Sequence, residues 1–178
     1  MKSVLGKLIE FYIKKRNPIK YAKRLGVTLG QDCSITGKVS FGSEPYLVSI
    51  GDHVQITDNV RFFTHGGGWV FRLEDPSFDT FGKIELGNNI YIGSGSMILP
   101  GVRIGNNVVI GSGSVITKSI PNNVIVAGNP ARILSTFQSY QERIAKYNIG
   151  TYKFERTEKR RNILDLKEDR FIVKNYMT

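Results

Sequence analysis

Residues 86–120 read LGNNIYIGSGSMILPGVRIGNNVVIGSGSVITKSI, and a large aliphatic side chain returns at every sixth place: Leu86, Ile92, Ile98, Ile104, Ile110 and Ile116. Four residues after each comes a small or β-branched residue, namely Ile90, Ser96, Val102, Val108, Ser114 and Ile120. Six is the period of neither an α-helix nor a heptad. It fits a short strand followed by a corner. The aliphatic side chain points inward and stacks on its equivalent one coil away, while Gly, Asn or Asp takes the backbone conformations that the corner needs. A single coil buries too little to stand alone, so coils stack around a continuous core. The parallel ladder between coils then satisfies the backbone.

Working outward, Ile50, Ile56 and Phe62 repeat the pattern, and Leu29, Ile35 and Phe41 repeat it earlier still. These two blocks are out of phase by three residues, so something is inserted near Ser43–Ser49. After Phe62 the period lapses until Leu86, across FFTHGGGWVFRLEDPSFDTFGKIE at 62–85. A long loop breaking out of a regular fold is usually functional. The reading divides the chain into a helical cap at 1–24, a β-helix at 25–132 with an inserted loop at about 63–85, and a C-terminal helix and tail at 133–178. The cap rests on the helical spacing of Val4, Leu8, Phe11 and Tyr12 ahead of Pro18; the C-terminal helix rests on Ile133, Phe137, Tyr140, Ile144 and Tyr147.

Charge and composition narrow the function. The net charge is +10, but Lys2, Lys7, Lys14, Lys15, Arg16, Lys20, Lys23 and Arg24 crowd the first two dozen residues, and Arg103 alone is charged between Leu86 and Ile116. A basic end on a neutral body is a solvated face or a local anion site rather than a nucleic-acid surface. Contact of the basic N-terminal helix with anionic lipid is the alternative to a packed cap. No apolar run approaches the roughly 20 residues that span a bilayer. The segment SVLGKLIEFYIKKR lacks a small-residue cleavage site, so the reading is cytoplasmic. The single cysteine, Cys33, excludes an internal disulfide and falls in a small-residue slot of the repeat. Two histidines, His53 and His65, are too few for a three-histidine zinc site, so no metal is expected.

The stretch IGNNVVIGSGSVITKSIPNNVIVAGNPARIL (104–134) resembles the last coil and exit of the hexapeptide-repeat sugar and antibiotic O-acetyltransferases. FGSEPYLVSIGDHVQI (41–56) and VRFFTHGGGWVFR (60–72) resemble capsule and lipopolysaccharide acetyltransferases of that family more specifically. The resemblance implies an all-β fold, a left-handed parallel β-helix with a protruding loop and short terminal helices. It also implies acetyl-CoA as donor and a homotrimer with sites between subunits, where such a loop reaches toward the next subunit and carries the catalytic histidine.

On that reading His65 is the general base, because an imidazole titrates near neutrality and can take the proton of a hydroxyl attacking a thioester. His53, in the corner IGDHVQI, is an ordinary exposed residue. Glu44, Asp58, Glu74, Asp75 and Asp79 are candidates to orient His65. Glu44, Trp69 and Asp75 are the acceptor-side candidates, with Trp69 and Phe71 able to stack on a sugar face. Motif matching assigns the coenzyme contacts to Ser94, Ser112, Thr117, Lys118 and Arg132, the arginine meeting CoA phosphates. The family's further basic residue three positions on is replaced by Ser135. The expected function is acetyl transfer to a hydroxyl of a sugar or surface-polysaccharide precursor. An N-acyltransferase acting on an amino sugar and a non-catalytic β-helix scaffold are the alternatives.

Overall fold

In the computed structural model, which describes Ile13 and residues 16–176, the chain winds into a three-sided parallel β-helix. The first side holds β1 (Thr28–Leu29), β3 (Val48–Ile50), β6 (Ile84–Leu86) and β9 (Arg103–Ile104). The second holds β2 (Ser34–Ile35), β4 (Val54–Ile56), β7 (Ile90–Ile92), β10 (Val108–Ile110), β12 (Val124–Gly128) and finally β13 (Ala131–Thr136). The third holds β5 (Arg61–Phe62), β8 (Met97–Ile98) and β11 (Val115–Ile116). The three-sided coil is the one expected from the six-residue period, and it is the left-handed β-helix that the family resemblance implied.

The register explains the repeat. On the second side Ile35, Ile56, Ile92 and Ile110 pair in succession and continue to Val126, all buried. On the third side the rings of Phe41 and Phe62 stack 5.2 Å apart at 13°, and Ile98 and Ile116 continue the column. Ser96 and Ser114 fill inward slots at 0% exposure, which is tolerable because each hydroxyl donates to a corner carbonyl, Ser96 to Gly93 O at 2.7 Å and Ser114 to Gly111 O. Cys33 sits half-buried at the start of the Val54 column and donates to Gly51 O at 3.2 Å.

Corners between the first and second sides show why GDH, GNN and PNN recur. Asp52, Asn88, Asn106 and Asn122 each offer a side-chain oxygen to the backbone N–H one coil below, at 2.7 Å in every case. The residues that follow, His53, Asn89, Asn107 and Asn123, all have φ between 54° and 61° and form a second ladder through their side chains. Asn tolerates this left-handed backbone because its short amide bonds locally.

At the ends, one expectation changes and one lies outside the described residues. The helix that leads into the solenoid, α1 (Pro18–Leu25), is closed at both ends: Asn17 Oδ1 accepts from Lys20 N–H at 2.8 Å, and Gly26 ends the helix at φ 104°. Proline suits the first helical position, where its missing N–H has no intrahelical partner to lose. The proposed stripe of Val4, Leu8, Phe11 and Tyr12 lies outside the described residues. Ile133, assigned by spacing to a C-terminal helix, is in strand β13, which runs antiparallel to β12 from Gly128↔Ala131 to Val124↔Thr136. This hairpin covers the sheet edge that the last coil would otherwise expose. Helix α2 (Phe137–Ala145) begins only after it.

The chain divides into a solenoid unit ending at Phe137 and a smaller unit from Gln138 onward. Within the smaller unit Arg143 lies 5.4 Å from the centroid of the Tyr140 ring, and α3 (Arg156–Leu164) has no buried residue. Among the described residues no helix is long and apolar enough to cross a membrane.

Candidate active site

The corner between the third and first sides is irregular, and the interruptions occur there. Between Phe41 and β3 the chain makes an extra 3₁₀ turn at Pro45–Leu47, which accounts for the three-residue phase shift. One coil later it leaves after Phe62 and returns at Ile84, so the long loop covers 63–83. Glu44 lies three residues beyond Phe41, and His65 three beyond Phe62. Because those two phenylalanines stack, the same offset sets the carboxylate and the imidazole one above the other.

They meet. His65 Nδ1 is 2.7 Å from Glu44 Oε2. A carboxylate accepts only, so the Nδ1–H donates and Nε2 keeps its lone pair. Thr64, 1% exposed, donates its hydroxyl to the same oxygen at 2.7 Å. The Thr64 hydrogen bond, followed by the hydrogen bond and charge of His65, holds the Glu44 carboxyl below its ordinary value against the opposing effect of burial. The His65 side chain is 41% exposed and Glu44 16%, so the imidazole can be approached while its partner is largely covered.

The base of the loop is tied down around this pair. Gly82 N–H donates to Thr64 O at 2.8 Å, and His65 bridges to Phe81, whose ring meets the imidazole edge-on at 5.8 Å. Gly82 has to be glycine because a Cβ there would collide with the backbone of Pro100 and Gly101 in the next coil. Farther out, Trp69 stands 80% exposed in a 3₁₀ turn (Gly68–Phe71), beside exposed Val70, Phe71 and Leu73.

Three of the other four candidate carboxylates are engaged elsewhere. Asp58 accepts from Lys38 N–H at 2.6 Å, Asp79 lies 3.7 Å from Arg72, and Asp75 accepts from the Ser77 N–H and hydroxyl at 3.0 and 2.6 Å. The two Ser77 bonds lower the Asp75 carboxyl and commit it to its own turn. Glu74 N–H donates to Phe71 O inside the loop. Among the described residues no cluster of three His, Cys, Asp or Glu could hold a metal ion.

The five residues matched to the coenzyme fall into two groups. Thr117, Lys118 and Arg132 line one cleft of about 410 Å³ with Ile116, Pro121 and Ala131, between the last coil and β13. Arg132 Nη1 donates to Ala131 O at 3.0 Å. Ser94 and Ser112 are exposed on the preceding corner, between the second and third sides, where Ser94 donates to Thr57 Oγ1 at 3.1 Å. Lys118 shares the irregular edge with His65 two coils away, a rise of roughly 10 Å. Thr64 and Phe81 escaped the sequence reading because neither occupies a repeat slot. The equal offset of Glu44 and His65 from Phe41 and Phe62 was visible in the sequence and would have singled out Glu44.

Comparison with known proteins agrees with this architecture. A family model described as bacterial transferase hexapeptide (six repeats) matches residues 83–118. Protein CapG of Staphylococcus aureus is 49% identical over 153 residues, which are 84% of this chain and 89% of that protein. The galactoside O-acetyltransferase of Escherichia coli (strain K12) is 40% identical over 112 residues, 63% of this chain and 54% of that enzyme. Among solved structures, a galactoside acetyltransferase in complex with coenzyme A is similar with a TM-score of 0.62 at 29% identity, covering 85% of this chain and 87% of that one. A maltose O-acetyltransferase from Clostridium difficile 630 shares the fold, with a TM-score of 0.58 at 24% identity over 73% of this chain and 83% of that one. The chain belongs to the hexapeptide-repeat acetyltransferases. Within that family it is related to the galactoside O-acetyltransferases, one of which is solved in complex with coenzyme A.

Proposed function

We propose that this enzyme transfers acetyl from acetyl-CoA to a hydroxyl of a sugar or surface-polysaccharide precursor, with His65 as general base. The observation that carries the reading is the 2.7 Å hydrogen bond from His65 Nδ1 to Glu44 Oε2, on an imidazole that remains accessible. It leaves Nε2 basic. The acceptor hydroxyl gives its proton to Nε2 as its oxygen attacks the thioester carbonyl; the imidazolium, steadied by the Glu44 carboxylate, then returns a proton to the departing CoA thiolate. The C–O bond forms and the C–S bond breaks without an acyl-enzyme. Backbone N–H groups suit the oxyanion that develops, and the glycine run at 66–68 lies beside the base.

Donor binding is assigned to Thr117, Lys118 and Arg132, whose cleft offers two cations to the coenzyme's phosphates, with Ser94 and Ser112 along the pantetheine arm. The galactoside acetyltransferase bound to coenzyme A, a relative of 29% identity, supports that choice of ligand. Trp69 and Asp75, out on the loop, are assigned to the acceptor side. The exposed Trp69, Val70, Phe71 and Leu73 support a homotrimer in which the loop packs on a neighbouring subunit, since a contiguous apolar patch of that kind marks an interaction surface. The resemblance of residues 41–56 and 60–72 to capsule and lipopolysaccharide acetyltransferases favours a surface-polysaccharide acceptor over a free galactoside. On this reading residues 1–24 are a cap to the catalytic solenoid, and the unit from Gln138 onward is an appendage.

The test is steady-state acetyl transfer to sugar acceptors by wild type, His65→Ala and Arg132→Ala. We expect His65→Ala to lower kcat about 10²- to 10⁴-fold with unchanged coenzyme affinity and melting temperature. Arg132→Ala is expected to weaken coenzyme binding while sparing kcat. Full turnover in His65→Ala would overturn the reading.

A further inference from the structure

The acetyl-transfer mechanism leaves one firmly placed polar group unused. Thr64 is a buried hydroxyl in a position that the six-residue rule does not require to be anything in particular, yet it is 1% exposed and its Oγ1 donates to Glu44 Oε2 at 2.7 Å. That is the same oxygen, at the same distance, that accepts from His65 Nδ1. The two donors are consecutive in the chain and approach one acceptor from different directions, Thr64 from the covered side and His65 from the open side.

A carboxylate on a flexible two-carbon arm can rotate its oxygens past a single donor. With two donors converging on one oxygen, that rotation breaks two bonds instead of one. Thr64 is itself fixed, because its carbonyl accepts from Gly82 N–H at 2.8 Å where the loop closes on itself. The neighbouring Gly42, at φ 72°, leaves room for the hydroxyl: a Cβ there would come within 3.3 Å of Thr64 Oγ1.

We infer that Thr64 is a positioning residue for the acetyl transfer: its hydroxyl locks the Glu44 carboxylate in the rotamer that holds His65 in the Nδ1–H tautomer, completing a Thr64–Glu44–His65 array. This rests on the reading of His65 as base and Glu44 as its partner. Thr64, almost fully buried, has no surface to offer acceptor or coenzyme, so it acts on turnover and not on binding.

The experiment compares Thr64→Val, Thr64→Ser, Glu44→Gln and the Thr64→Val/Glu44→Gln double variant by kcat, KM for both substrates and melting temperature, with His65→Ala alongside. Valine keeps the shape and removes the donor; serine keeps the donor. We expect Thr64→Val to lower kcat about tenfold with both KM values within twofold of wild type. Thr64→Ser should restore most of that loss, and the double variant should be no slower than Glu44→Gln alone, because there is no longer a carboxylate to position. A Thr64→Val enzyme with wild-type kcat, or losses that multiply in the double variant, would overturn the inference while leaving the base assignment standing. If His65→Ala and Glu44→Gln both keep full turnover, the underlying reading is what has failed. A Thr64→Val chain too unstable to assay leaves the decision to Thr64→Ser, whose kcat must then stay near wild type.

Discussion

Two edges of the same solenoid follow opposite rules. The edge between the first and second sides repeats with little change: Asp52, Asn88, Asn106 and Asn122 make one ladder, and His53, Asn89, Asn107 and Asn123 make the other. The side chains of the first ladder bond to backbone N–H groups one coil away and those of the second to each other, in a pattern repeated from coil to coil. On the edge between the third and first sides no two coils match. One adds the turn at Pro45–Leu47, the next throws out the loop at 63–83, and the polar groups Glu44, Thr64 and His65 bond across coils in a pattern used once. Regularity stabilises the fold; chemistry sits where regularity is broken.

The comparison is broken most severely from the regular side. Ile110 has no exposure and packs in the middle of the second-side column. Replacing it with alanine should cost about 2–5 kcal/mol through lost burial and the cavity left between coils. Denaturant unfolding would measure it, and folded enzyme should retain its kcat. A core substitution that leaves the unfolding midpoint in place would mean the column is not the source of stability.

Glu44→Gln sharpens the comparison from the irregular side. A glutamine can offer Nδ1 an amide N–H and so favour the wrong tautomer; kcat should fall roughly 10- to 100-fold, with a modest loss of stability at neutral pH. The pH dependence has a definite sign. Thr64, then His65, hold the Glu44 carboxyl below its ordinary 4.5, so its contribution to stability is present above that pH and is lost as pH falls through the lower folded value. The stability difference between wild type and Glu44→Gln should therefore shrink as pH drops below about 4.5. A difference that grows in acid would contradict the charge-assisted bond.

The two edges were also unequally legible. Residues 86–120 declared strand, corner and inward side chain at each step, because every coil solves the same packing problem with the same residue types. The three-residue phase shift before Ser49 and the lapse after Phe62 revealed where the irregular edge lay, and the loop pointed to His65. The partner could be read only by comparing offsets from Phe41 and Phe62, which the six-residue period alone does not prompt. Five carboxylates were near enough in sequence, and the choice of Glu44 depends on its stacking one coil from His65, a contact 21 residues apart. Thr64 was silent for the same reason. At the far end, Ile133 has helical spacing to Phe137 but lies in β13, because covering an open sheet edge outweighs a local pattern.

A smaller effect is expected within the ladders. Asn107 donates to Asn123 Oδ1 at 2.7 Å, accepts from Asn89 at 2.8 Å, and holds φ at 55°. Asn107→Ala removes both bonds and places a Cβ without a local hydrogen bond in the left-handed region, which should cost about 1–2 kcal/mol. Asn107→Gly, which relieves the backbone but not the ladder, should lose less. If alanine and glycine destabilise equally, the ladder bonds matter and the backbone conformation does not.

The smallest effect should come from the other histidine, and it tests the division between the edges most directly. His53 and His65 each point Nδ1 at a side-chain oxygen, 2.9 Å from Asn89 and 2.7 Å from Glu44. Distance alone does not separate them; the partner does. An amide oxygen carries no net charge to stabilise an imidazolium, whereas a carboxylate does. His53 moreover stands where the next three coils carry Asn, at φ 54°, a conformation asparagine accepts more readily. His53→Asn should extend the ladder by one rung, leave kcat within twofold of wild type, and change stability by no more than about 0.5 kcal/mol, toward greater stability. Turnover and calorimetric melting on the same sample would check both. Loss of activity in His53→Asn with activity kept in His65→Ala would exchange the roles of the two edges.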